Sequence, residues 1–215
     1  MAKIGAIITG DIVNSTKLSR EERIVMLYSL QEIPMILNDI SSVNFEIFRG
    51  DSFQILVSDP WQVLKVALII RAFLRSQKLG ENKKILDSRI AIGIGSLDFQ
   101  SEELSTSDGE AYRFSGRLLD EMDKAKLAIK TPWLEVNEEL SLNTAFADRI
   151  ISSWKQKQSR VVYESLITGM NHNELAQKLG ITRQMIGKSL RASNEDLILE
   201  YIHRFEKIIR QHLQK

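Results

Sequence analysis

Twenty residues near the C-terminal end, Asn173 to Ala192, constrain the fold more than any other stretch of the chain. Leu175, Ala176 and Leu179 give one short helix an inner face, Gly180 stops it, and Ile181, Ile186 and Leu190 anchor a second helix. The small side chain of Ala176 lets the two approach closely. Thr182 is placed to cap the second helix, because its hydroxyl can accept from a free amide of the first turn. Arg183, Gln184, Lys188 and Arg191 then project from the other side. Arg and Lys favour guanine edges and phosphates, and Gln favours adenine. The pattern predicts a helix-turn-helix whose second helix lies in the major groove of DNA. The plainer alternative is an amphipathic hairpin with a solvated charged face.

The residues just upstream extend the pattern. Trp154-Lys-Gln-Lys-Gln158 runs into Arg160-Val-Val-Tyr163, then Leu166 and Gly169, before the hairpin begins. This segment is similar to the fourth region of sigma factors and to response-regulator tails. The resemblance implies a trihelical DNA-binding unit, with a recognition role for Thr182, Arg183, Gln184 and Lys188.

Charge supports the same division. The net charge of the whole chain is only +1, but from Ser141 onward there are 12 Lys and Arg against 7 Asp and Glu, whereas the part before it is net acidic. A positive segment attracts the duplex through counterion release, and an acidic partner domain is held clear of it. With 215 residues, of which 43% are hydrophobic, the chain is long enough for one substantial core and a smaller second one. Two domains are expected, 1–135 and 141–215, with the weakly patterned stretch Pro132 to Leu142 as linker. No apolar run reaches membrane-spanning length, and the start from Met1 to Ile8 lacks the features of a secretion signal, so a cytoplasmic protein is expected. Cys is absent, which excludes disulfides and thiolate metal sites, and the 3 His leave little for a histidine site. His172, His203 and His212 are expected on solvated surfaces, and Trp61, Trp133 and Trp154 as packing residues.

Along the N-terminal part, Ile4 to Thr9 predicts a buried strand, followed by a turn at Gly10-Asp11. Ser19-Arg-Glu-Glu22 has capping-box spacing and opens a helix to about Ile40, with a kink or break near Ile33 because of Pro34. Val43–Phe48 and Phe53–Val57 make a hairpin through Arg49-Gly50-Asp51. A helix from Asp59-Pro60 to Gly80, a strand from Arg89 to Ile94, a helix from Glu110 to Lys126 and a strand from Leu127 to Lys130 follow. The order β-α-β-β-α-β is a ferredoxin-like plan, so the predicted class is α+β with an all-α helix-turn-helix C-terminal domain. A last helix, capped by Asn194 and carrying Leu197, Tyr201, Phe205, Ile208 and Ile209, either packs back on the body or pairs with its twin in a dimer.

Asp11 and Asp51 are brought to one end of such a sheet. Two carboxylates there suit Mg²⁺ or Mn²⁺, with nucleotide phosphates and waters completing the octahedron. Gly10-Asp-Ile-Val-Asn-Ser-Thr16, Phe48-Arg-Gly-Asp-Ser-Phe53, Arg89-Ile-Ala-Ile-Gly-Ile-Gly95 and Gly109-Glu-Ala-Tyr-Arg-Phe-Ser-Gly-Arg117 resemble the successive motifs of class III nucleotidyl cyclases. The resemblance implies metal binding by Asp11, Asp51 and the backbone of Ile12, and transition-state stabilisation by Arg117. It also implies a dimer in which the aspartates of one subunit face the arginine of the other. Three positions depart from that family. Ile47 stands where purine-selecting members have lysine, Thr106 where they have a base-reading aspartate, and Arg113 where they have the ribose-orienting asparagine. Loss of ribose orientation alone costs on the order of 10²-fold in cyclisation, which weighs against that reaction.

The GDIVNST-type start, the cyclase-like sheet and the C-terminal helix-turn-helix together resemble the SatD family. The function expected from all of this is a DNA-binding transcriptional regulator whose degenerate cyclase-like domain senses a phosphorylated ligand or mediates homodimerisation. The competing expectation is an active metal-dependent nucleotidyl cyclase or other phosphoryl-transfer enzyme.

Overall fold

Strand β1 (Ile4–Ile12) is the axis of the N-terminal sheet, paired along its length on both sides. In the computed structural model, which describes residues 3–38, 40–80 and 84–214, the helix α1 (Arg20–Leu37) leads from it to β2 (Val43–Phe48) and β3 (Ser52–Val57). Helix α2 (Val63–Ser76), β4 (Ser88–Ser96), α3 (Glu110–Glu121) and β5 (Leu127–Lys130) complete this part. The strand order is β2-β3-β1-β4-β5, antiparallel except for the parallel pair β4 and β5. The first four strands thus have the split order of the ferredoxin-like plan, and α3 is the crossover that adds β5.

Several elements differ from the sequence expectation. Gly10 and Asp11 form no turn, because both remain in the ladder between β3 and β4. Gly10 instead makes room for Phe53, whose ring would lie 2.5 Å from an added Cβ. Helix α1 opens with the expected capping box at Ser19 and Glu22 but runs unbroken through Pro34, its Leu30, Ile33 and Leu37 all buried. Packing of that stripe outweighs the one amide bond that proline removes. Asp39, near the predicted end of this helix, and Met1 and Ala2 at the chain start lie outside the described residues. Pro60–Gln62 is a single 3-10 turn ahead of α2, which ends at Ser76 rather than at Gly80. Helix α3 stops at Glu121, five residues before the expected Lys126, where Lys126 instead donates its backbone amide to Asp148 at 2.8 Å.

The expected linker, Pro132 to Leu142, holds the first half of a long helix, α4 (Leu134–Ser153). Its buried stripe is Val136, Leu140, Thr144, Ala147 and Ile151; only the first two fall in the stretch expected as linker, too few for the helix to show there, whereas its second half follows the sequence pattern of Phe146, Ile150 and Ile151. After it come α5 (Gln156–Thr168), α6 (His172–Leu179), α7 (Arg183–Ala192) and α8 (Glu195–Leu213). The stripe of α8 packs back on the body, against α2, α4, α7 and the Pro60–Gln62 turn. Asn194 precedes α8 in the left-handed region at φ 48° and gives no side-chain cap.

Burial joins the two parts. Twelve of the residues of α2 are buried, with β1 and β4 on one flank and α5 and α8 on the other. The main apolar core therefore runs without interruption from the sheet through α2 into the C-terminal helices, and the two smaller clusters lie under α3 on the opposite face of the sheet. A separate C-terminal core is not present among the described residues. No helix is long and apolar enough to cross a membrane.

Candidate functional sites

The carboxylates at the end of β1 are already engaged. Asp11 lies opposite Ser52 on one neighbour and opposite Arg89 on the other. Residues directly opposite in an antiparallel pair share a face, so the guanidinium of Arg89 reaches the Asp11 carboxylate as a two-point pair. Its Nε donates to Oδ1 at 2.9 Å and an Nη to Oδ2, and the other Nη donates to the carbonyl of Met122 at 3.1 Å. The hydrogen bonds that Arg89 donates to Asp11, partly offset by desolvation, raise the pKa of Arg89 further above its ordinary value. The amide of Ile12 donates to the carbonyl of Asp51 at 3.0 Å, so it is not free for a ligand. The Asp51 carboxylate accepts from the hydroxyl of Ser15 and, at 3.4 Å, from that of Ser52.

This arrangement does not suit the expected metal pair. A hard divalent cation needs carboxylate oxygens turned to it, and those of Asp11 face a cation of the protein's own. Among the described residues, no group of three or more His, Asp and Glu comes together in a way that could hold a metal ion. Arg117 is exposed on α3 without a side-chain partner among the described residues. The three departing positions have structural partners here. Ile47 is half-buried opposite Phe53, the hydroxyl of Thr106 donates to the carbonyl of Glu103, and Arg113 binds Asp98 at 3.3 Å and Asp108 at 2.7 Å. The glycine pair of the β4 motif has a packing role. At Gly93 an added Cβ would lie 2.1 Å from the Ala111 carbonyl, and at Gly95 2.7 Å from the Glu110 Cβ, so both glycines let α3 settle on the sheet.

Next to this site, α2 and Asp87, the residue just before β4, hold a charge cluster that the sequence reading missed. Asp87 is 3% exposed and Arg71 is fully buried. Asp87 accepts from Arg71 at 3.0 and 3.1 Å, from Arg75 at 2.6 Å and from Lys126 at 3.0 Å. Arg71 also donates to Asp148 at 2.7 Å, and Arg75 donates to the carbonyls of Ser152 and Trp154. Burial pushes the Asp87 carboxyl up, but Arg71, Arg75 and Lys126 overcome it and hold the pKa below the ordinary value. Two arginines four apart inside an otherwise apolar helix were the available signal, since such charges are buried only when paired.

The second candidate site is the α6–α7 hairpin. Asn171 caps α6 and Gly180 ends it in the left-handed region at φ 64°. The hydroxyl of Thr182 accepts from the amide of Met185 at 3.2 Å, as its position predicts. Leu175, Ile186, Gly187 and Leu190 are buried, and α7 packs on α5, α6 and α8. Thr182, Arg183, Gln184, Lys188 and Arg191 are all exposed. No side-chain hydrogen bond or ion pair engages Arg183, Gln184, Lys188 or Arg191 within the described residues. Trp154 is 1% exposed, and its indole donates to the Ser193 carbonyl at 2.8 Å, which fixes the end of α7. His172 and His203 are exposed, whereas His212 departs from expectation and lies largely covered beside the Trp133 ring, its Nδ1 2.9 Å from the Ile208 carbonyl.

The sequence profile of the SatD family matches residues 5–207. The chain belongs to the SatD family. No curated protein matches it in sequence. Solved structures similar to it include the active GGEEF domain of a diguanylate cyclase from Vibrio cholerae, at 14% identity and a TM-score of 0.44, with 60% of this chain and 83% of that one covered. The catalytic core of a rhodopsin-guanylyl cyclase in complex with ATPαS is 18% identical at a TM-score of 0.46, covering 60% and 77%. A bacterial light-regulated adenylyl cyclase is 16% identical at 0.43, covering 60% of this chain but only 43% of that protein. None of these likenesses carries residue roles to the SatD-family chain.

Proposed function

We propose that this SatD-family protein is a DNA-binding transcriptional regulator, working in the cytoplasm as a homodimer on paired half-sites. The observation that carries the reading is the outer face of α7. A helix packed from behind presents Arg183, Gln184, Lys188 and Arg191 to solvent with no partner among the described residues. The likeness of the 154–192 segment to sigma region 4 agrees with this role. Residues 1–135 and 141–215 divide by function, the first for ligand sensing or dimerisation and the second for DNA, while sharing one core. A ligand regulates such a protein only if it prefers one arrangement of the paired recognition helices. The test is binding of the purified protein to the DNA upstream of its own coding sequence, titrated over salt, with and without nucleoside triphosphates and Mn²⁺. Specific binding lost in Arg183→Ala/Lys188→Ala supports the reading. Affinity unchanged in that variant overturns it.

A metal-dependent nucleotidyl cyclase, or another phosphoryl-transfer enzyme, is the second reading. It is favoured by the meeting of Asp11 and Asp51 at one end of the sheet, joined through the Ile12 amide. It requires Arg89 to release Asp11 and predicts Mn²⁺- or Mg²⁺-dependent turnover of a nucleoside triphosphate that Asp51→Ala and Arg117→Ala both abolish. Absence of turnover with the common nucleotides counts against it.

A further inference from the structure

The exposed face of α7 does not end in open solvent. Lys188, Ser189 and Ala192 form one wall of a cleft of about 950 Å³, whose other walls are Lys78 to Gly80 with Lys84 and Ile85, and the first turn of α5. Five lysines line it, Lys78, Lys84, Lys155, Lys157 and Lys188, and no acidic residue does among the described residues. Lys84 is paired with Glu22 at 2.8 Å, but Lys78, Lys155, Lys157 and Lys188 are exposed and have no ion-pair partner among the described residues. The first turn of α5 carries no acidic side chain, so the positive end of that helix adds to the field. Like charges gathered on three elements repel one another, and within the described residues only the Glu22 partner of Lys84 offsets that cost.

We infer that this cleft takes the sugar-phosphate backbone of one DNA strand beside the groove that α7 enters, so that the N-terminal part supplies a DNA contact through Lys78. The assignment rests on the proposed role of α7. Three features favour an extended polyanion over a compact phosphate ligand. The ammonium groups are spread over separate elements, the cleft is open, and α7 is itself a wall of it, so its occupant lies alongside the recognition helix. Lysines act there as point charges that position the duplex without reading sequence.

The experiment compares the full-length protein with Lys78→Gln/Lys157→Gln and with a charge-matched control, Lys17→Gln/Lys130→Gln, whose residues lie outside the cleft. Binding to a labelled mixed-sequence duplex is measured by fluorescence anisotropy across a salt series. Each phosphate contact removed lowers the slope of log affinity against log salt by about 0.9. The cleft variant is expected to lose close to two contacts' worth of slope and about ten-fold or more in affinity near physiological salt, equally for every sequence, while the control stays near wild type. A slope unchanged in the cleft variant, or lowered as much in the control, overturns the cleft assignment while leaving the role of α7 intact. Wild-type protein that shows no salt-dependent binding at all overturns both.

Discussion

The arginines of α2 and β4 and the basic residues of α7 have opposite fates. Arg71, Arg75 and Arg89 are each held by carboxylates of the same chain, whereas Arg183, Lys188 and Arg191 meet none among the described residues. The difference separates cations that maintain the fold from cations available to a partner. It also bears on the end of β1, where the motif resembles a metal site but a guanidinium already stands against the first aspartate. In that region, the protein's own charge balance is closed. At the hairpin and in the adjoining cleft it is open.

The comparison breaks most sharply at Asp87. Asp87→Asn leaves Arg71 and Arg75 buried without their main counter-charge and is expected to cost about 3–5 kcal/mol in urea unfolding. The sign of the pH dependence follows from the lowered carboxyl. Its contribution is present above the ordinary value of 3.8 and is lost as pH falls through the lower folded value, so the acid-unfolding limb should flatten in Asp87→Asn. Next comes Arg183→Ala/Lys188→Ala, for which a loss of about 1–3 kcal/mol in binding for each base contact made is expected, with unfolding within about 0.5 kcal/mol of wild type. Thermal melts beside the binding curves check both halves of that statement. The smallest effect is at the β1 pair. Arg89→Gln should cost only about 1 kcal/mol, because the pair is part-exposed. If Arg89 is what excludes a cation, this variant should bind Mn²⁺ more tightly than wild type by isothermal titration; equal affinity would show that the guanidinium is not the barrier.

What the sequence made legible was local. The Ser19–Glu22 capping box, the Thr182 cap, the Gly180 stop and β5 depend on neighbours within a few positions, and each stands where its residues predict. Asp11 and Arg89, 78 positions apart, meet only through the register of β1 on β4, which one sequence does not reveal. Gly93 and Gly95 follow the same logic, since their need for small size comes from α3 arriving from elsewhere in the chain. The second half of helix α4 showed in the stripe Phe146, Ile150 and Ile151, but its first half was hidden because only Val136 and Leu140 are buried between Leu134 and Leu142. The C-terminal site was more readable than the N-terminal one because a helix hairpin carries its own turn, cap and inner face in a single stretch.

The burial of α2 on both flanks has a consequence for the order of synthesis. Its sheet-facing side is covered once β4 has formed, but its other side waits for α5 and α8, which leave the ribosome after the whole sheet. Throughout that interval the nascent chain carries a bare apolar surface, the kind of exposure that recruits chaperones or leads to aggregation. A premature stop after β5 therefore leaves that flank uncovered permanently, and the helices that bracket the α6–α7 hairpin are also the ones that finish the interior of the sheet part.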